Sequence, residues 1–465
     1  GADFYAAPRP HPDGVHVAWI QWNHPNMPWD ATELWVGELA DGVMVGARRV
    51  AGHGDEALVQ PEWTDDGQLL VISDRDDWWN VYRVDDVDRL THVAGGEYDT
   101  AQPHWVFGGS RYVAGFDGVP AHVAGEPAGE QLDVGGRRVD TGCTSITDLC
   151  GASDGSVLFV GASQRSETAV YRWRDGTLET LRPPRQLPFD PAFLPDPELI
   201  EFPTPGGDVA YGLFYAPAHP DVTLPDGELP PVVVTIHGGP TSQARRMFNP
   251  THRYWTSRGI AVVDVDYRGS SGYGRAYRNL LRGNWCKTDV EDAVAAVDYL
   301  AAHGRVDGSR AVIRGGSAGG TTTLLALATT DRFAAGANYF GVADLAALIT
   351  DDHKFESRYT IGLIGPYPEA ADVYRERSPL THAAALRTPL IVFQGLDDMV
   401  VPPAHSEQIV DAVRANGVPV AYFPFEGEGH GFRRAENQIR SLEAELAFYG
   451  AVLGFTPADP VPPVL

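Results

Sequence analysis

Residues 310–320, Arg-Ala-Val-Ile-Arg-Gly-Gly-Ser-Ala-Gly-Gly, constrain the fold more than any other stretch of the chain. An apolar strand over 311–314 runs straight into Gly315-x-Ser317-x-Gly319, and small residues at helical spacing follow from Ala318 to Ala328. Side chains at the flanking positions of so sharp a turn would strike the neighbouring strand and helix. Glycine is therefore required there, and the serine hydroxyl is left pointing out of the fold. Ser317 is a candidate nucleophile. A second match, Gly151-Ala-Ser153-Asp-Gly155, lacks this setting. Asp154-Gly155 reads as a hairpin turn and 157–160 as a strand, so Ser153 is read as a turn residue.

The chain has two grammars. Up to about residue 180 one theme repeats: a turn, an alternating strand, then an aromatic-rich strand. Pro10-His-Pro-Asp-Gly14 leads into 15–20 and 33–36; Pro61-Glu-Trp-Thr-Asp-Asp-Gly67 leads into 69–73 and 79–83. Pro103-His-Trp-Val-Phe-Gly108 leads into 111–116, and Ser153-Asp-Gly155 into 157–162 and 169–173. Turns at Asp13, Asp66, Gly109 and Gly155 recur at roughly 40–50 residues, the period of a four-stranded propeller blade. An irregular β-sandwich is the plainer alternative. About four blades are visible, and an open arc of blades would leave edge strands bare. The expectation is that a missing N-terminal fragment completes the ring.

Six prolines between 183 and 197 mark a linker. Beyond it, strand candidates at 209–216, 232–236, 260–266, 311–314, 336–340, 390–394 and 418–425 alternate with helical patterns at 290–303, 321–329, 403–416 and 435–452. Thr288-x-x-Glu291 supplies a capping box for the first of these helices. Such alternation implies a mostly parallel sheet with helices on both faces. The expected domains are a β-propeller portion over 1–190, an α/β domain over 191–455 and a loose Pro-rich tail over 456–465.

Composition narrows the partners. A net charge of −26 argues against nucleic acid or an anionic membrane surface. No apolar run is long enough to span a bilayer. Three cysteines, Cys143, Cys150 and Cys286, are too few for a disulfide framework and fit a reducing, cytoplasmic setting; only proximity suggests a 143–150 pairing. No metal or cofactor is expected, and the oligomeric state is not legible.

A nucleophilic serine needs a base to take its proton, an acid to orient that base, and donors for the oxyanion. In α/β-hydrolases they follow in the order Ser, Asp, His. The strand at 390–394 ends in Gly395-Leu-Asp397-Asp398, which puts two carboxylates where a late strand runs out, and spacing alone does not choose between them. The last strand ends in Glu426-Gly-Glu-Gly-His430-Gly431, an imidazole on a glycine-flanked loop. His353, His382 and His405 follow no terminal strand and are read as structural or exposed. For the oxyanion, the Ala318 N–H is one donor. The loop after an early strand, His237-Gly-Gly239-Pro240, offers the Gly239 N–H as the second.

Together, His237-Gly-Gly-Pro240, Asp266-Tyr-Arg-Gly-Ser-Ser-Gly-Tyr-Gly274, Gly315-Gly-Ser-Ala-Gly-Gly320, Arg377-Ser-Pro379, Gly395-x-x-Asp398 with Val401-Pro402, and Gly429-His-Gly-Phe432 resemble the prolyl oligopeptidase family of serine peptidases, especially its dipeptidyl-peptidase and acylaminoacyl-peptidase branches. The resemblance implies that the acid is Asp398, the last position of Gly-x-x-Asp. It also implies an N-terminal propeller that filters substrates by size, admitting short peptides. The expected activity is hydrolysis of short peptides or aminoacyl amides near the N-terminus, through an acyl-enzyme on Ser317 with His430 and Asp398. Two alternatives are a carboxylesterase on small acyl esters and a non-catalytic propeller binding protein. Phe340, Phe355 and Tyr359 are expected to line the acyl-side pocket or to serve as plain core. Glu97, or the carboxylates at 74–77, are the candidates to receive a substrate ammonium.

Overall fold

The structure is a computed structural model that describes residues 1–115, 118–351 and 353–465. The chain forms two compact units. The first comprises Gly1–Phe189 with Arg245–Asn249 and Ser271–Asn279; the second comprises the rest, through Leu465.

Among the described residues of the first unit are four antiparallel sheets of four strands, spanning 4–51, 58–94, 112–139 and 145–182. In each the strands lie in sequence order, as in a propeller blade. Alternating residues build the core: Val157 and Phe159 of the fourth sheet pack with Val123 and Leu132 of the third. The turn at Ser153 is a hairpin, closed by Gly155 N–H on the Ala152 carbonyl (3.0 Å). The strand expected over 111–116 is shorter, covering Tyr112–Val113, and Phe116 lies outside the described residues. Arg111 accepts the Val123 N–H (2.9 Å) but does not extend the ladder, because its own amide donates to the Gln60 side chain at Oε1 (2.7 Å). Cys143, Cys150 and Cys286 all carry free thiols, so the 143–150 pairing is not made.

The short segments 245–249 and 271–279, which sequence assigned to the second domain, fold with the first unit. Backbone carbonyls hold the first of them, Ser163 accepting from Phe248 N–H (2.7 Å) and Pro127 from Arg246 Nε (2.9 Å), and carboxylates hold the second. Asp99 Oδ2 accepts from Gly272 N–H (3.2 Å) and Asp77 Oδ1 from Ala276 N–H (2.6 Å). Asp74, fully buried, receives Arg278 Nη2 at 2.5 Å, and the Arg278 guanidinium lies 4.1 Å from the Trp79 ring centre. Asp76 accepts from the Tyr82 hydroxyl (2.8 Å). The 74–77 carboxylates are thus engaged within their own unit.

The second unit is built on one eight-stranded sheet. Its strands are β1 (Glu198–Pro203), β2 (Val209–Tyr215), β3 (Val232–Ile236), β4 (Ala261–Asp266), β5 (Ala311–Gly316), β6 (Ala335–Tyr339), β7 (Leu390–Gly395) and β8 (Val420–Phe425). Their spatial order is β1-β2-β4-β3-β5-β6-β7-β8. Strand β2 is antiparallel to β1 and β4, and every other neighbouring pair is parallel. Buried parallel strands read as continuous apolar runs, and Val232, Val233 and Val234 are each 0 % exposed. Register places Ile236 beside Gly315, Gly316 beside Tyr339, and Gly395 beside Phe425. The loops carrying the serine, the acid and the histidine therefore leave the sheet at one carboxyl edge, where open α/β sheets hold their ligands.

Two local expectations differ. The capping box does not form: Thr288 is the first helical residue, and Glu291 is drawn to Arg268 Nη2 (2.8 Å) instead. The tail is docked rather than loose, because Val461 and Val464 pack on the core and Asp459 pairs with Arg258 at 2.7 Å.

Burial pushes the Asp74 carboxyl up to about 6, against the opposing pull of Arg278. Replacing Arg278 by Met strands that charge, which typically costs about 3 kcal/mol. The sign follows from Asp74 binding its proton more tightly in the folded chain than in the unfolded one. Chemical denaturation should show the full loss at pH 8 and a smaller one as pH falls towards 6, with Asp74→Asn added to Arg278→Met recovering most of it. A loss that is the same at both pH values contradicts the assignment.

Candidate active site

Ser317 sits between β5 and the helix Ala318–Thr329 with φ 55° and ψ −124°. A non-glycine residue adopts such a backbone only where its surroundings hold it there. Two close approaches do so. A Cβ on Gly315 would run into the Gly319 carbonyl, and one on Gly319 into the Ile236 carbonyl of β3. The Ser317 amide donates to the Tyr339 carbonyl at the end of β6 (2.9 Å), and Ser317 O accepts the Thr321 N–H (3.1 Å). The helix that follows is small and buried on nearly every face, so it packs directly on the sheet.

Asp398 and Asp397 separate clearly. Asp397 is exposed, whereas Asp398 is 2 % exposed. Asp398 Oδ1 accepts the amides of Val400 and Val401, each at 2.9 Å, and Oδ2 accepts His430 Nδ1 at 2.8 Å. That pairing makes Nδ1 the protonated nitrogen and leaves Nε2 as the basic one. The His430 loop is itself held by Glu428, a buried carboxylate that sequence reasoning missed. It accepts the amides of Arg433 (2.9 Å) and Arg434 (3.0 Å) and the Asn437 side chain (2.7 Å). Its signal was a charged residue two positions before the histidine, and an acidic chain masks such a signal.

Phe340 joins the two parts. Its ring centre is 4.8 Å from that of His430 and 5.5 Å from that of Phe432, and a Cβ on Gly316 would lie 3.3 Å from the same ring. Among the described residues, neither the Ser317 hydroxyl nor His430 Nε2 makes a hydrogen bond. Nucleophile–base contacts of this kind are often loose in unliganded enzymes and tighten on the substrate.

The His237-Gly-Gly-Pro240 loop runs past the serine. A Cβ on Gly238 would be 3.0 Å from the Gly316 carbonyl oxygen and 3.4 Å from Ser317 Cβ. His237 stacks on Tyr267 at 4.3 Å, donates from Nδ1 to the Gly238 carbonyl (2.9 Å) and meets Ser270 Oγ with Nε2 (2.8 Å). Tyr267 in turn donates to the Pro240 carbonyl (2.7 Å). Among the described residues the N–H groups of Gly239 and Ala318 have no acceptor, which leaves both available to an oxyanion.

The remaining expected residues divide. The Tyr359 hydroxyl accepts the Thr241 amide (3.0 Å) and lies 2.5 Å from Thr241 Oγ1, so it braces the end of the loop that begins at His237. Phe355 is half-buried in the segment preceding the helix Tyr359–Leu363. Glu97 is exposed and belongs to the first unit. His405 is buried and accepts the Ala343 amide through Nδ1 (3.2 Å), His353 pairs with Glu356, and His382 meets the Glu376 carbonyl. Among the described residues, the one cluster with metal-ligand spacing is His11, Asp13 and His16 in the first unit. Its members bond one another, His16 Nδ1 to Asp13 Oδ2 at 2.7 Å and the Asp13 amide to His11 Nδ1 at 3.0 Å.

Comparison with known proteins gives the arrangement its context. The sequence profile of the prolyl oligopeptidase family matches residues 246–456. The crystal structure of a puromycin hydrolase is 40 % identical, with a TM-score of 0.94, over 99 % of this chain and 71 % of that one. A serine-to-alanine variant of that protein, complexed with PGG, is similar at 39 % identity. A puromycin-hydrolyzing peptidase of Mycobacterium tuberculosis is 41 % identical, with a TM-score of 0.94, over 100 % of this chain and 72 % of that one. This chain belongs to the prolyl oligopeptidase family. Its fold is that family's propeller portion and α/β-hydrolase domain. Among curated proteins, dipeptidyl aminopeptidase BIII of Pseudoxanthomonas mexicana is 35 % identical over 230 residues, which is 48 % of this chain and 33 % of that protein. The match thus spans about a third of that relative's length.

Removing the Asp398 carboxylate while keeping its shape should free the imidazole to take the wrong tautomer. Asp398→Asn is expected to lower kcat by about 10⁴, and Asp397→Asn to leave it within about twofold. Steady-state kinetics of the two variants decides, and equal losses contradict the assignment of the acid.

Proposed function

We propose that this chain carries the catalytic machinery of a serine peptidase that hydrolyses short peptides and aminoacyl amides through an acyl-enzyme. The observation that carries the reading is the Asp398–His430 pair, 2.8 Å apart, on the sheet edge that holds Ser317 in its strained turn. Ser317 Oγ attacks the carbonyl carbon as His430 Nε2 takes its proton. Asp398 stabilises the imidazolium that forms, and the N–H groups of Gly239 and Ala318 hold the oxyanion. His430 then returns the proton to the leaving amine, and water releases the acyl group by the same relay. Phe340, set against both Gly316 and His430, forms one wall for the acyl-side residue, and Phe355 is a second candidate.

Aminoacyl amides of the puromycin type are the favoured substrates within this class. Two puromycin-cleaving relatives share about two residues in five with this chain over nearly its whole length. Glu97 remains the proposed anchor for a substrate ammonium. The family's size filter should exclude folded proteins, and three free thiols fit a reducing, cytoplasmic setting. Among the described residues no helix is long and apolar enough to cross a membrane.

Turnover of puromycin, of aminoacyl anilides with and without N-acetylation, and of a nitrophenyl ester with the same acyl group tests the proposal. Amide and puromycin cleavage should dominate, with a preference for the free amine. Ester cleavage alone would favour a carboxylesterase, and no turnover of any of them would favour a binding protein.

A further inference from the structure

Behind the nucleophile lies a charged cluster that the reaction itself does not use. Glu445, on the helix Ala435–Leu453, is 0 % exposed. Its Oε1 accepts Arg314 Nε at 2.9 Å and the Tyr449 hydroxyl at 2.8 Å, and its Oε2 accepts the Tyr339 hydroxyl at 2.6 Å. The Arg314 guanidinium also lies 4.9 Å from the centre of the Tyr339 ring.

Two of the three donors flank the serine. Arg314 is on β5, three residues before Ser317, and Tyr339 ends β6. Tyr339 contributes twice: its carbonyl holds the Ser317 amide at 2.9 Å, while its hydroxyl is held by Glu445. Its ring stacks on Phe393 at 4.5 Å and lies 6.1 Å from Phe432, so the same residue also reaches the aromatic group beside His430. One buried carboxylate therefore ties down both strand ends between which the turn is strung. A core that merely needed filling would place an apolar side chain here, since buried ion pairs seldom add net stability over well-packed hydrophobic residues. Directional bonds to two neighbouring strands instead fix a geometry.

We propose that Glu445 is a positioning residue for Ser317: through Arg314 and Tyr339 it locks the ends of β5 and β6, and so the backbone of the nucleophile turn. The inference rests on the reading of Ser317 as nucleophile, and it adds a role for the C-terminal helix.

Three variants test it. Tyr339→Phe removes a single hydroxyl with no change of shape. Glu445→Gln removes the charge. Glu445→Gln combined with Arg314→Met removes both charges, so that no unpaired ion is left to unfold the protein. Each is followed by kcat and KM on an aminoacyl anilide, by the rate of fluorophosphonate labelling, and by amide hydrogen exchange over 315–318. Misplacing a reacting atom by about 1 Å can cost about 10² in rate. We therefore expect kcat and labelling to fall about fivefold in Tyr339→Phe and about 10–100-fold in the other two. KM should stay within about twofold, and the Ser317 amide should exchange faster. Wild-type kcat in the folded double variant, or unchanged exchange at 315–318 in Tyr339→Phe, overturns the proposal. Loss of wild-type labelling and turnover would instead remove the serine-peptidase reading, while the exchange measurement would still report on the clamp.

Discussion

Everything at the candidate site depends on one backbone constraint, the turn that holds Ser317 at φ 55°. An L-residue there is strained by about 1–3 kcal/mol, and the turn persists because the structure around it leaves no room to relax. Gly315 meets the Gly319 carbonyl, Gly319 meets β3, and the Ser317 amide is pinned to β6. The strain explains why the nucleophile lies at the centre of a sheet whose middle strands are mostly buried, since a looser scaffold would let the turn unwind.

The acid and base obey a different logic. Asp398 is fixed by four bonds or near-contacts to its own loop and to His430, with its carboxylate sealed from water. Fixing the acid orients the imidazole, and the imidazole in turn borders Phe340 and Phe432. The serine turn is thus held by shape and the histidine by hydrogen bonding. The two meet across an aromatic group rather than through a preformed contact, an arrangement that lets the relay tighten when a substrate carbonyl arrives.

Much of this was legible in the sequence because local rules and global fold agree there. The seven strand candidates of the second unit each correspond to an observed strand, since apolar runs of four to eight residues between helical patterns have few other uses. The serine, acid and base candidates came from strand ends together with the chain order of α/β-hydrolases, but the choice between Asp397 and Asp398 needed the family pattern, because burial is not written in spacing. What sequence missed are long-range polar pairings. Nothing near Glu445 says that it meets Arg314, 131 positions away. Nor does anything near Arg278 point to Asp74, 204 positions away. The same cause explains the failed capping box, where Glu291 is taken by Arg268, and the segment 271–279, which follows carboxylates of the first unit. Strand β1 was missed because its Glu198, Glu201 and Pro203 broke the apolar pattern.

The central claim is that Ser317, His430 and the two free amides act on a single carbonyl. A crystal structure of the chain after reaction with an aminoacyl phosphonate tests it most directly. The account predicts phosphorus bonded to Ser317 Oγ, one phosphoryl oxygen within hydrogen-bond distance of the N–H groups of Gly239 and Ala318, and His430 Nε2 turned towards the adduct. An unmodified Ser317, or an adduct whose oxygen points away from both amides, would contradict it.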